Sequence, residues 1–136
     1  MKKIRAAVVG YGNIGQYTLQ TLEVAPDFEV AGIVRRQGAK EKPMELEKYD
    51  VVSDIAELHD VDVAILALPT RECPAYAKKY LAMGINTVDS FDIHTNILNY
   101  RAELMPVCKE HGRVSVISDG WDPGSDSAGS MLMQSL

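Results

Sequence analysis

The stretch Ala6-Ala7-Val8-Val9-Gly10-Tyr11-Gly12-Asn13-Ile14-Gly15 decides how this chain folds. An apolar, β-like run leads into three glycines, and a helical pattern over Ile14–Val24 leads out of them. Gly10, Gly12 and Gly15 fall on the G-x-G-x-x-G spacing, in the strand–turn–helix context that a dinucleotide-binding loop needs. Each glycine has its own expected task. Gly10 permits the tight turn, Gly12 lets backbone approach a pyrophosphate with no Cβ in the way, and Gly15 lets helix and strand pack closely. The free N–H groups and positive dipole end of that helix then face the phosphates.

The end of the second strand bears on which nicotinamide cofactor fits. An NAD site usually places Asp or Glu there for the ribose 2′-hydroxyl, whereas Phe28-Glu29-Val30-Ala31-Gly32-Ile33-Val34 runs into Arg35-Arg36. A guanidinium suits a 2′-phosphate because it is planar, always charged and bonds bidentately. The expected cofactor is therefore NADP. The plain alternative is three turn glycines and a solvated arginine pair.

Totals narrow the class further. With 136 residues, 46% of them hydrophobic, the chain suits one globular domain with a small core and leaves no room for a second full domain. A net charge of -5 and a pI near 5.1, with no concentrated basic patch, argue against nucleic acid or an anionic membrane surface as partner. Met1-Lys2-Lys3-Ile4-Arg5 imitates the start of a signal peptide, but the apolar run after it breaks at Gly10, too soon for one. No run is long enough to span a bilayer. Cys73 and Cys108 are isolated and fit reduced thiols in the cytoplasm. His59, His94 and His111 are scattered, so no metal is expected.

Strand-like runs at Ile4–Val9, Phe28–Val34, Val63–Leu68, Thr87–Asp89 and Val114–Ile117 alternate with helical patterns at Ile14–Val24, Cys73–Met83 and Asn96–His111. Gly84 and Gly112 stand where helix C-caps belong. A surface loop is expected over Gln37–Lys48, then a short strand at Val51-Val52 and a short helix at Ile55–Leu58. The pattern predicts an α/β fold, a Rossmann-type doubly wound parallel sheet in a single domain over residues 1–127. Residues 128–136 read as a linker-like segment and the start of a crossing helix.

Ligands bind such sheets beyond the carboxyl ends of the strands, so the residues after each strand are the functional candidates. These are the glycine loop, Arg35-Arg36, Pro69-Thr70-Arg71, Ser90-Phe91-Asp92 and Ser118-Asp119-Gly120-Trp121-Asp122-Pro123-Gly124. Plain readings stand beside them. Pro69-Thr70 is also a helix cap, Asp92 an N-cap, and Trp121-Asp122-Pro123-Gly124 a turn. Together, Trp121, Asp92 and Asp122 at the cofactor edge make a site for a cationic, amine-bearing substrate, the carboxylates holding its ammonium. Tyr76 and Tyr80 are packing residues by default, although Tyr76 lies one turn into a helix that starts at that edge.

At these residues the chain resembles the N-terminal part of the meso-diaminopimelate dehydrogenase family. The resemblance rests on Val9–Gly15, Gly32-Ile33-Val34-Arg35-Arg36, Leu68-Pro69-Thr70-Arg71, Thr87-Val88-Asp89-Ser90-Phe91-Asp92-Ile93-His94 and Gly120-Trp121-Asp122-Pro123-Gly124-Ser125-Asp126-Ser127. It covers essentially the whole chain. The resemblance implies NADP-dependent oxidative deamination of meso-2,6-diaminopimelate at its D-centre, giving L-2-amino-6-oxopimelate in lysine metabolism. Carried over by position, Gly10, Tyr11, Gly12, Asn13, Ile14 and Gly15 form the pyrophosphate loop, and Arg35 and Arg36 take the 2′-phosphate. Leu68, Pro69, Thr70 and Ser90 line the nicotinamide side. Asp92, Trp121 and Asp122 face the reacting end of the amino acid with Tyr76 nearby, the two carboxylates acting as the catalytic pair. Family members continue into a second domain that completes the substrate site and forms a homodimer, so this chain is expected to be inactive alone. Other readings are an NADP-binding module without catalysis and another two-domain NADP reductase that shares only the clamp.

Overall fold

The structure, a computed structural model, describes residues 2–118. The chain divides into two compact units, Met1–Leu68 and Pro69–Leu136. Strand β1 (Ile4–Val9) is apolar throughout its second half, and Ala6, Ala7 and Val8 have no exposed surface. Such a run is at home only inside a sheet covered on both faces. It pairs in parallel with β2 (Phe28–Val34) on one side and β4 (Val63–Leu66) on the other, and β2 pairs with β3 (Val51–Val52). The order within this unit is β3-β2-β1-β4, four strands of the doubly wound plan, with the order reversing between β1 and β4.

Helix α1 (Asn13–Val24) buries Gly15, Leu19 and Leu22, which share one face at helical spacing. Leu19 and Leu22 join Ala6, Val8, Ile33, Leu46 and Val51 in one core cluster. Leu46 corrects an expectation. The Gln37–Lys48 segment is not merely a surface loop, because a 3₁₀ turn over Met44–Leu46 drives Leu46 to full burial while Met44 stays exposed. Burying one leucine stabilises by about 1.5–3 kcal/mol, enough to pin an otherwise polar segment. The short helix expected at Ile55–Leu58 is a 3₁₀ turn over Ile55–Glu57, where the Asp54 carboxylate accepts from Ala56 N at 3.0 Å.

One irregularity lies inside β2. Ala6 pairs with Val30 but Ala7 pairs with Gly32, so Ala31 is an extra residue in the strand, a β-bulge.

The second unit holds α2 (Cys73–Ala82), β5 (Asn86–Asp89), α3 (Ile97–His111) and β6 (Ser115–Val116). Strands β5 and β6 run parallel, with Thr87 opposite Ser115. Helix α2 packs on both β5 and α3, burying Ala77, Tyr80 and Leu81. Gly112 ends α3 in the left-handed conformation, φ 61°, as the C-cap signal predicted. The parity of β5 is unexpected: Thr87 and Asp89 are its buried residues, while Val88 is only half-buried. Polar side chains face inward there because each is satisfied. The Thr87 and Ser115 hydroxyls bond at 2.7 Å, and Asp89 meets three donors described below. No helix among the described residues is long and apolar enough to cross a membrane.

Candidate functional site

In the first unit the chain leaves β1 through Gly10, whose φ of +97° belongs to glycine. A Cβ at Gly10 would lie 2.3 Å from the Ala67 carbonyl oxygen, and one at Gly15 would lie 2.1 Å from the Gly10 carbonyl oxygen. Backbone holds both positions closed. Gly12 differs on each count: its φ is -83°, and a Cβ there would meet nothing within 4 Å. Nothing in the protein's own described residues requires glycine at 12. Gly12 is also the N-cap of α1, where no side chain caps the helix and the first turn carries no acid. The open N-terminal N–H groups suit an anion.

Beyond β2, Arg35 is held at both ends. Its backbone N donates to the Val52 carbonyl at 2.9 Å, and its guanidinium Nε donates to the Gly38 carbonyl at 2.7 Å while Nη2 donates to the Lys40 carbonyl. The arginine pair is thus not simply a solvated surface, since Arg35 shapes the loop it heads. Arg36 is exposed beside it. Gly10 N donates to the Val34 carbonyl at 2.8 Å, which fixes the glycine loop against the end of the arginine-bearing strand.

Tyr11 was placed in the pyrophosphate loop by resemblance alone. Its hydroxyl donates to Glu45 Oε1 at 3.0 Å, and burial, then the Glu45 hydrogen bond and charge, push it up to about 12. It stays a neutral donor at ordinary pH. With Gln16, Gln20, Glu23 and Lys48 it borders a cleft of about 630 Å³ along α1. Glu45 was not read from the sequence, where it lay in the presumed loop.

In the second unit, Pro69 precedes a 3₁₀ turn over Thr70–Glu72 but gives it no side-chain cap. The Thr70 hydroxyl bonds instead across the unit: Oγ1 donates to Asp92 Oδ1 at 2.7 Å and accepts from Asp92 N at 3.0 Å. The N-cap alternative for Asp92 fails, because Ile93 occupies the cap of the His94–Asn96 turn and no side chain bonds there. Asp92 is exposed and leaves Oδ2 for a ligand, an arrangement suited to receiving an ammonium. Ser90 is exposed as well. Tyr76 is half-buried with its ring 5.7 Å from that of Tyr80, the packing arrangement the helical spacing suggested.

Asp89 was missed. It is 3% exposed, and its carboxylate accepts from Phe91 N at 3.0 Å, from Ser118 N at 3.0 Å and from the Tyr100 hydroxyl. The available signal was a carboxylate inside the strand-like run Thr87–Asp89, where a solvated acid is out of place. Burial pushes the nearby Cys73 thiol up to about 12, aided by the charges of Asp89, Glu72 and Asp92, so Cys73 is an inert thiol at neutral pH. Among the described residues, no three His, Cys, Asp or Glu side chains gather into a metal site. Trp121, Asp122, the 120–127 motif and the boundary drawn at 127 lie outside the described residues.

Comparison with known proteins follows the same lines. The model of the oxidoreductase family with an NAD-binding Rossmann fold matches residues 4–89. A meso-diaminopimelate D-dehydrogenase of Bacteroides fragilis is 63% identical over 136 residues, all of this chain and 46% of that protein. Among solved structures, C. glutamicum DAP dehydrogenase in complex with DAP superposes with a TM-score of 0.79 at 31% identity, over 97% of this chain and 41% of that one. An engineered D-amino acid dehydrogenase bound to NADP+ gives a TM-score of 0.79 at 31% identity, over 96% and 40%. The chain spans less than half the length of each of these relatives.

Proposed function

This chain belongs to the oxidoreductase family with an NAD-binding Rossmann fold, and on that premise we propose that it is the cofactor-binding part of an NADP-dependent meso-2,6-diaminopimelate dehydrogenase. The observation that carries the reading is the 63% identity to the Bacteroides fragilis enzyme across all 136 residues. The open space at Gly12 supports it independently, because a glycine unexplained by the fold is explained by a pyrophosphate.

The chain's residues divide the work. The α1 N-terminus and the backbone of Gly12, Asn13 and Ile14 receive the pyrophosphate, and Arg35 and Arg36 receive the 2′-phosphate. Leu68, Pro69, Thr70 and Ser90 serve the nicotinamide side. Asp92 and Asp122 hold the ammonium of the D-centre and set the direction in which its C–H bond points, with Trp121 and Tyr76 bounding the amino acid. NADP⁺, when bound, would supply the hydride acceptor once the ammonium has released a proton to water; water then hydrolyses the resulting imine, and ammonia leaves with L-2-amino-6-oxopimelate as the product. The complete enzyme works as a cytoplasmic homodimer in lysine biosynthesis, consistent with an acidic chain and two free cysteines.

A second reading is an NADP-binding module without catalysis. One experiment addresses both. The chain alone should bind NADP⁺ and form no NADPH with meso-diaminopimelate. The chain extended at Leu136 by the remainder of the Bacteroides fragilis relative should form it readily. An extended protein that binds NADP⁺ yet leaves meso-diaminopimelate unoxidised overturns the substrate assignment.

A further inference from the structure

The Asp89 carboxylate lies under the loop that carries Asp92, and it gathers donors from three parts of the second unit. Oδ1 accepts from Phe91 N and Ser118 N, each at 3.0 Å, and Oδ2 accepts from the Tyr100 hydroxyl on α3. All three donors are neutral. A buried carboxylate is costly to desolvate and persists where hydrogen bonds replace its water, so this one is committed to holding backbone in place.

What it holds bears on recognition. Phe91 directly precedes Asp92, and its ring packs on Tyr100 with centroids 4.6 Å apart. Asp92 is therefore fixed from below through Phe91 and from the side by Thr70, which occupies Oδ1 and leaves Oδ2. Ser118 sits at a φ of +58°, a left-handed conformation that a serine adopts only when its surroundings impose it. Its buried hydroxyl has no hydrogen-bond partner among the described residues, while its backbone N is held by the Asp89 carboxylate. Ser118 stands three residues before Trp121 in the sequence.

We propose that Asp89 is a positioning residue for substrate recognition: through Phe91 N and Ser118 N it sets the loop from which Asp92 meets the substrate ammonium. Tyr100 secures the opposite oxygen of the same carboxylate. This rests on the substrate role given to Asp92 above. Burial, with the Asp89 hydrogen bond and charge, holds the Tyr100 hydroxyl protonated far into the alkaline range, so it remains a donor throughout the working pH range.

The test uses the extended enzyme described above, with meso-diaminopimelate and NADP⁺ as probes. Asp89→Asn should raise KM for meso-diaminopimelate about tenfold, the effect of misplacing one hydrogen bond to a charged group, and leave KM for NADP⁺ within about twofold. Tyr100→Phe keeps the carboxylate and both N–H bonds and should raise the substrate KM by about two- to threefold. Equal rises in both KM values, or a lower melting temperature with both KM values unchanged, would show a merely structural residue and overturn the proposal. Asp92→Asn separates the positioning role of Asp89 from the substrate role of Asp92. If it raises the substrate KM while Asp89→Asn does not, the positioning role fails and the substrate reading stands. If Asp92→Asn leaves that KM unchanged, the substrate role of Asp92 falls and the positioning role falls with it. Should Asp89→Asn not fold, Tyr100→Phe decides, and an unchanged substrate KM overturns the proposal.

Discussion

Thr70 and Asp92 are joined twice: the threonine hydroxyl donates to the carboxylate at 2.7 Å and accepts from the aspartate's own backbone N at 3.0 Å. Twenty-two residues of sequence separate them, so the pair closes the loop after β5 onto the start of the turn before α2.

Replacing Thr70 by Val removes both bonds and keeps the shape. Because Asp92 is exposed, water replaces much of what is lost, and a cost of about 1 kcal/mol follows. Thermal melts should show a fall of about 3–6 °C for Thr70→Val and almost none for Thr70→Ser. A valine variant as stable as the parent would make the pair energetically idle.

The three glycines should separate by experiment. Gly10→Ala and Gly15→Ala drive a methyl to within 2.3 and 2.1 Å of backbone oxygen and should unfold the first unit or leave it insoluble. Gly12→Ala meets open space, so its melting temperature should fall by no more than about 5 °C, because Gly to Ala at an N-cap costs a few tenths of a kcal/mol to about 1. Its NADP⁺ affinity should nevertheless drop by at least about tenfold, one misplaced charge-assisted bond to phosphate. Unchanged affinity in calorimetry would remove the pyrophosphate from that position.

Arginine substitutions test the 2′-phosphate. The chain should bind NADPH at least about tenfold more tightly than NADH, and replacing both Arg35 and Arg36 by Ala should erase most of that difference. Arg35→Ala alone also frees the Gly38 and Lys40 carbonyls, so it should weaken NADH binding too. Equal affinities for the two cofactors in the parent chain refute the assignment.

Alkaline pH should destabilise the fold. Burial raises the Cys73 thiol from 9.0 to about 12 and raises Tyr100 further. The folded protein keeps protons that the unfolded chain has already released, so stability is full below pH 9 and declines from there towards 12. Urea midpoints measured between about pH 7.5 and 11 should hold steady and then fall, with a shallower fall in Cys73→Ala. A midpoint that does not move above pH 9 contradicts the burial of these groups.

Most of the first unit was legible because its residues obey a local rule. The apolar run Ala6–Val9 and the glycine spacing have no second use, and strand, turn and helix follow where they were expected. Leu46 was not legible: one leucine in a polar stretch carries no period, and only the packed cluster shows that it is core. Arg35 was recognised as a cation after a strand, but its grip on two carbonyls depends on how the loop returns. Asp89 escaped notice because alternation assigns the apolar residues of a strand inward, and β5 inverts that by satisfying Thr87 and Asp89 with hydrogen bonds from distant positions. Long-range donors such as Ser118 N leave no mark in the local sequence.

The extra residue at Ala31 sets two rulers against each other. One is marked in residues along the chain and the other in hydrogen-bonded rungs across the sheet, and between Ala6 and Arg35 they disagree by one. In a relative whose second strand runs straight, the side chain standing where Arg35 stands would come one residue sooner. Aligned without a gap, it would fall in the column of Val34, and a cofactor preference inferred from that column would be taken from the wrong residue.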